Sequence, residues 1–181
     1  MKIKYLIIVC LCIVTCLGSC LKDTPYIDLT NSQPIIEFGL SPANGDTGPF
    51  LYGADTANSP DVDTAIAVDV ASPQVLNSTV TTTVMVDTTQ ISAYNLANDS
   101  TFTALPDSLY SLTTTATVAP DYRVGRVSVT IYFSKFPAHH QYGLPLSIVS
   151  ASTSGGQDLI VSGNSGTFMW LFDRYEAIRY Y

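Results

Sequence analysis

The side chains able to do chemistry are few, and their spacing rules out most of what they could do. His139 and His140 are the two histidines, and neighbouring strand residues point to opposite faces, so they could share a metal only from a turn. Asp55, Asp61 and Asp63, with Asp69 beyond, offer oxygen ligands to calcium but lack the Asp-x-Asp-x-Asp-Gly spacing and distal glutamate of a calcium loop. Hydrolysis of a sugar bond asks for two carboxylates of unequal pKa across one groove. Glu37 and Glu176 are the only glutamates, at opposite ends of the chain. No Gly-x-Ser-x-Gly elbow accompanies the serines, and Gly163 and Gly166 miss the phosphate-loop patterns. These residues read as an exposed turn, a solvated acidic loop and hairpin turns. The expectation is no enzyme: no catalytic residue, no metal and no cofactor.

The cysteines say more. Cys10, Cys12, Cys16 and Cys20 all fall within the first twenty positions. Lys2 and Lys4 precede an apolar run of thirteen residues, Tyr5–Leu17, short of the roughly 20 that a membrane-spanning helix needs. A positive start, a short apolar centre and small residues before a cut site make a secretory signal peptide. Leu17-Gly18-Ser19-Cys20 at its end resembles the bacterial lipobox, which implies cleavage ahead of Cys20 and lipidation of that residue. Three cysteines then leave with residues 1–19 and the fourth takes the lipid, so no thiol remains for a disulfide, a zinc site or a nucleophile. A buried CH₂ contributes about 0.8 kcal/mol, so one acyl chain holds marginally and two or more hold firmly. The membrane partner is therefore reached through the lipid on Cys20. Lys22-Asp23 resembles the Bacteroidota signal that sends lipoproteins to the cell surface. The expected location is the outer membrane, lipid-anchored and at the cell surface, with the periplasmic face as the alternative.

Loss of residues 1–19 removes Lys2 and Lys4 and no acid, moving the formal net charge from −7 to −9. That surface disfavours nucleic acid, whose binding rests on cations at phosphates, and serves solubility. Residues 20–34 are polar without a steady period and read as the lipidated N-terminus and tether. Residues 35–172 read as one β-domain and residues 173–181 as a C-terminal tail, helical or extended.

Within the domain, Ile36, Phe38 and Leu40 share one side of a first strand. Gly45, Gly48, Pro49, Gly53 and Pro60 make residues 41–63 read as a long loop. Ile66, Val68 and Val70 then alternate with Ala65, Ala67 and Asp69, and Val80, Thr82, Val84 and Val86 with threonines and Met85. Tyr110, Leu112, Ala116 and Val118 share a side, as do Val127, Val129, Ile131 and Phe133. A period of two with one polar face marks half-buried antiparallel strands. Asp87 and Gln90 have capping-box spacing for one short helix, with Ile91, Ala93 and Tyr94 toward the core. Leu144, Leu146 and Ile148 form a further strand. Gly155-Gly156 reads as a hairpin, before Leu159–Val161 and Thr167–Phe172. The expected fold is all-β: an immunoglobulin-like antiparallel β-sandwich of about seven strands, without the cysteine pair of antibody domains.

The order of short motifs supports this. Val86-Asp87, Ala93-Tyr94-Asn95, Leu105-Pro106 and Tyr110-Ser111-Leu112 come first. After the Val127–Ile131 strand come Tyr142-Gly143-Leu144-Pro145-Leu146, Ser150-Ala151-Ser152, Ser162-Gly163-Asn164 and Gly166-Thr167. Together they resemble a domain of unknown function from Bacteroidota surface lipoproteins. It is found at the N-terminus of some family-18 endo-β-N-acetylglucosaminidases and of other polysaccharide-utilisation proteins. The resemblance covers residues 35–172 and implies a β-sandwich on a lipid anchor near glycan-handling machinery, with the catalysis of those enzymes in a separate domain.

The aromatic residues are the candidate ligand contacts. Phe168, Trp170 and Phe172 line one face of the last strand, Met169 and Leu171 the other, as in a strand buried on both faces. A binding role would instead leave Trp170 or the tail residues Tyr175, Tyr180 and Tyr181 exposed as a sugar-stacking platform. Asp55-Thr56-Ala57, Asp63-Thr64-Ala65, Asp87-Thr88-Thr89, Asp99-Ser100-Thr101 and Asp107-Ser108-Leu109 look like the Bacteroidota O-glycosylation sequon. Two functions follow: a non-catalytic lipoprotein module binding glycan or assisting its uptake, or a structural or adhesive lipoprotein with an envelope protein partner.

Overall fold

The computed structural model describes residues 29–39, 50–55, 60–137 and 140–175, with backbone alone for 50–55 and 173–175. The expected signal peptide, Cys20, most of the tether, Leu40, His139, Tyr180 and Tyr181 lie outside the described residues. The chain divides into two compact units, Met1–Asn31 and Ser32–Tyr181. In the first, residues 29–31 are described, and they are exposed.

Among its described residues the second unit is mostly strand, with one α-helix. In chain order it holds β1 (Ile35–Phe38), β2 (Phe50–Asp55), β3 (Val62–Ala71), β4 (Val80–Val86), α1 (Thr89–Asn98), β5 (Thr103–Ala104) and β6 (Tyr110–Leu112). β7 (Thr115–Val118), β8 (Val124–Ile131), β9 (Gln141–Thr153), β10 (Ile160–Val161) and β11 (Thr167–Tyr175) follow. One sheet runs β10-β1-β3-β8-β6 and the other β2-β11-β9-β4-β7, with β5 also on β9. Ile36, Val68 and Val127 from the first sheet and Val80, Leu144 and Phe168 from the second share one apolar cluster. The two sheets therefore face each other across a common core, with period-two side chains turned inward.

The inward faces are those expected: Ile66, Val68, Val70, Val84, Val129 and Leu146 are all buried. Burying each such side chain contributes about 1.5–3 kcal/mol. Thr82, also on an inward face, is buried with its hydroxyl unpaired.

Four expectations are corrected. Among the described residues eleven strands form rather than about seven, and they are not antiparallel throughout: β1 pairs β10, β11 pairs β2 and β5 pairs β9 in parallel. The stretch read as a loop over 41–63 contains β2, whose backbone adds to the edge of β11 from Trp170↔Phe50 to Tyr175↔Asp55. The run from Tyr110 to Val118 is not one strand. Thr113 N–H donates to Ser128 O and Val84 N–H to Thr114 O, so the chain leaves β8 in one sheet and joins β4 in the other. Gly155-Gly156 turns the chain, with Gly156 at φ +72°, but into β10 of the opposite sheet rather than back along β9.

Helix α1 starts close to where the spacing placed it, by a different bond pattern. Asp87 accepts from Thr89 Oγ1 (2.6 Å), Thr89 N–H (3.3 Å) and the Gln90 amide (3.3 Å). Its own N–H goes to Pro145 O at 3.0 Å. Only Ile91 of the helix is buried, while Ala93 is exposed and Tyr94 half-buried. Asp99 ends the helix in the left-handed region (φ 49°). Asn95 then clamps the exit, accepting from Ser100 Oγ and Phe102 N–H and donating to Phe102 O at 2.8 Å.

Candidate functional site

Trp170 is not an exposed platform. β11 lies between β2 and β9, and Phe168, Met169, Leu171 and Phe172 are all buried, so both faces of the strand are covered. Trp170 itself is half-buried against the core, edge-on to Phe168 at 5.2 Å and to Phe172 at 6.3 Å. Phe172 continues the aromatic packing to Phe133 (5.7 Å) and Phe136 (5.8 Å). Offset and edge-on rings at such distances contribute about 0.5–1.5 kcal/mol each beyond area, which makes this run a packing element. Residues 173–175 extend β11 instead of beginning a tail, and Tyr175 pairs with Asp55 through the backbone.

Several carboxylates are held by hydroxyls and N–H groups around them. Asp61 accepts from Ser134 Oγ (2.8 Å) and N–H (3.1 Å), bonds that hold its pKa below the ordinary carboxylate range, with Lys135 adding to the effect. Asp63 accepts from Thr130 Oγ1 across the strand pair at 2.7 Å. Asp87 is lowered chiefly by Thr89, and then by Ser147 and Gln90. Asp69 differs: burial raises its pKa, and its Oδ1 is buried without a hydrogen-bond partner. Tyr110, half-buried and donating to Asp107 Oδ1 at 2.8 Å, is pushed up to about 12 by its partial burial and that bond. His140 stacks on Tyr142 at 5.8 Å. Among the described residues no three metal-ligating side chains converge, and no helix is long and apolar enough to cross a membrane.

Of the Asp-Ser/Thr sequons, Thr88 and Ser108 are exposed, Ser100 is bonded to Asn95, and Thr64 lies half-buried within β3. Thr56 lies outside the described residues.

Among the described residues, the exposed tyrosine is one the sequence does not single out. Tyr122 is 68% exposed, in the connection between β7 and β8. Its N–H closes a turn onto Ala119 O at 3.2 Å, with Pro120 second in the turn and Asp121 third at φ 66°. A proline followed by a positive-φ residue is the pattern of a type II turn, and Pro120-Asp121 was the available signal. This turn is laced to the β3–β4 connection. Asp121 N–H donates to Leu76 O at 2.8 Å, and Arg123 Nη1 to Ser72 O at 2.6 Å and Ser72 Oγ at 3.2 Å. Ser72 Oγ in turn donates to Gln74 O, and Leu76 packs on the core.

Comparison with known proteins places this architecture. A model of a "-like, N-terminal domain" family matches residues 38–155. No curated protein sequence matches the chain. Among solved structures, a Bacteroides ovatus protein proposed to bind carbohydrate is similar at TM-score 0.54 and 15% identity, covering 76% of this chain and 36% of that one. EndoBT-3987 of Bacteroides thetaiotamicron, solved with a Man5GlcNAc product, gives TM-score 0.55 at 15% identity, over 77% of this chain and 30% of that one. A two-domain Bacteroides fragilis protein of unknown function gives 0.58 at 10% identity, over 78% and 46%. The chain thus spans between about a third and a half of the structures it resembles, and the likeness is one of fold. With the family model covering most of the β-domain, the chain belongs to this family of N-terminal domains, the Bacteroidota domain of unknown function that its motifs resemble.

Proposed function

We propose that this protein is a non-catalytic cell-envelope lipoprotein module, an immunoglobulin-like sandwich anchored through lipid on Cys20 and serving glycan binding or uptake at the cell surface. The observation that carries the reading is family membership. Similar folds occur in a Bacteroides ovatus protein proposed to bind carbohydrate and in EndoBT-3987 with its Man5GlcNAc product. The absence of a shared carboxylate pair among the bonded acids favours a binding role: Asp61, Asp63, Asp87 and Asp107 each accept from a hydroxyl of a different residue, Ser134, Thr130, Thr89 and Tyr110.

The placement is tested by labelling cells with radioactive palmitate. Label enters the wild-type chain and not Cys20→Ser, and globomycin blocks its processing. The glycan role is tested by calorimetry of the purified full chain in detergent micelles against neutral oligosaccharides. Binding of none of them, with an envelope protein co-purifying instead, transfers the module to the adhesive class.

A further inference from the structure

We propose that Tyr122 is the stacking platform of a neutral-carbohydrate site built where the β3–β4 and β7–β8 connections meet. The proposal rests on the glycan reading above and names its site. An aromatic side chain 68% exposed, with no ring contact among the described residues, is an amphipathic surface open to a flat apolar face. The C–H face of a pyranose ring is such a face, and its hydroxyls need carboxylate or amide partners beside it. Asp121, the preceding residue of the turn, carries an exposed carboxylate, and the connection bonded to it carries the exposed amides of Gln74 and Asn77.

The platform is held before any ligand arrives. Asp121 N–H to Leu76 O and Arg123 Nη1 to Ser72 O join the two connections, while Val70 N–H donates to Arg123 O at 2.8 Å and fixes the strand end below. A ring carried on a laced turn loses little freedom on binding. Asp121 holds a left-handed conformation (φ 66°) that glycine would adopt without cost, so a carboxylate stands where the backbone alone would favour glycine. The charge decides the class of ligand. Arg123 is the only cation of residues 72–79 and 119–123, and its Nη1 is engaged by Ser72 O and Oγ. Asp121 is the only acid of the same residues, so the two connections carry no net charge to draw an anion such as phosphate, whereas an uncharged sugar meets acceptors and donors it can use.

The test is calorimetric titration of the full chain in detergent micelles with Man5GlcNAc, cellohexaose and xylohexaose, for the wild type and for Tyr122→Ala, Tyr122→Trp and Asp121→Gly. The proposal expects one of these sugars to bind. Tyr122→Ala should weaken it about tenfold or more, as loss of a central aromatic contact does, and Tyr122→Trp should retain it. Asp121→Gly keeps the turn and should weaken binding without lowering the melting temperature, which separates loss of a ligand contact from loss of fold. Wild-type binding that survives Tyr122→Ala overturns the site and leaves the glycan reading standing. Binding of none of the three sugars by the wild type overturns both.

Discussion

Ile91 of helix α1 is seated on Gly143 of β9: a Cβ on that glycine would lie 3.2 Å from Ile91 Cδ1 and 3.5 Å from Leu171 Cδ2. This contact covers the outer face of β9 and β11 and is why Leu171, on the side away from the core, is nonetheless buried. Gly143→Ala should push the helix outward and cost about 1–2 kcal/mol, the ordinary penalty of overpacking. Thermal unfolding reads the loss. In a double-mutant cycle with Ile91→Ala, the two changes should be non-additive because the residues touch.

Trp170 should behave as a packing residue. Trp170→Ala removes its edge-on contacts with Phe168 and Phe172 and should destabilise by about 2–3 kcal/mol, somewhat below the range for a fully buried large aromatic. Trp170→Phe should recover most of that stability. Denaturant unfolding measures both, and an unchanged midpoint for the alanine variant would contradict the packing role.

Asp69 works against stability at neutral pH. It stands opposite Glu37 across β1 and β3, and like charges so placed are unfavourable; burial raises its pKa. A raised carboxylate pKa means that the folded state holds a proton the unfolded chain has released. Stability from this group therefore falls as pH rises from the unfolded value near 3.8 through the folded one. Asp69→Asn should stabilise the fold at pH 7 by about 0.5 kcal/mol through relief of the cross-strand repulsion, read as a higher melting temperature. The gain should shrink as the pH is lowered past that window.

Asp87 has the opposite sign. Its pKa is lowered by Thr89, Ser147 and Gln90, so its contribution is complete above the unfolded value near 3.8 and is lost as pH falls through the lower folded value. Asp87→Ala also frees the start of α1, and should cost about 1 kcal/mol at pH 7, as removal of a helix cap does. Melting curves of the variant and the wild type at pH 7 and pH 2 should differ in the first case and converge in the second.

The proposed lipid attachment at Cys20 makes its own prediction. Cys20→Ser should leave the β-domain's melting temperature unchanged, because the residue precedes the unit Ser32–Tyr181. The same change should release the protein from the membrane fraction, since about two acyl chains are needed for firm anchoring. Fractionation with palmitate labelling checks both.

Burial of alternate residues is a local property, because the pleat sends successive side chains to opposite faces whatever the partner strand. So Val68, Val84, Val129 and Leu146 could be placed inside from the sequence alone, and the turn-forming and capping residues around Asp87 could be found. Pairing is not local. Whether a strand adds parallel or antiparallel, or changes sheets as it does between Leu112 and Thr115, depends on contacts made by residues far away in the chain. β2 was hidden for the same reason: a glycine- and proline-rich neighbourhood reads as loop until β11 offers an edge. The aromatic residues divide likewise. Trp170 and Tyr122 are both amphipathic rings, and only the tertiary structure puts one against Phe168 and the other into solvent at a turn pinned to Leu76.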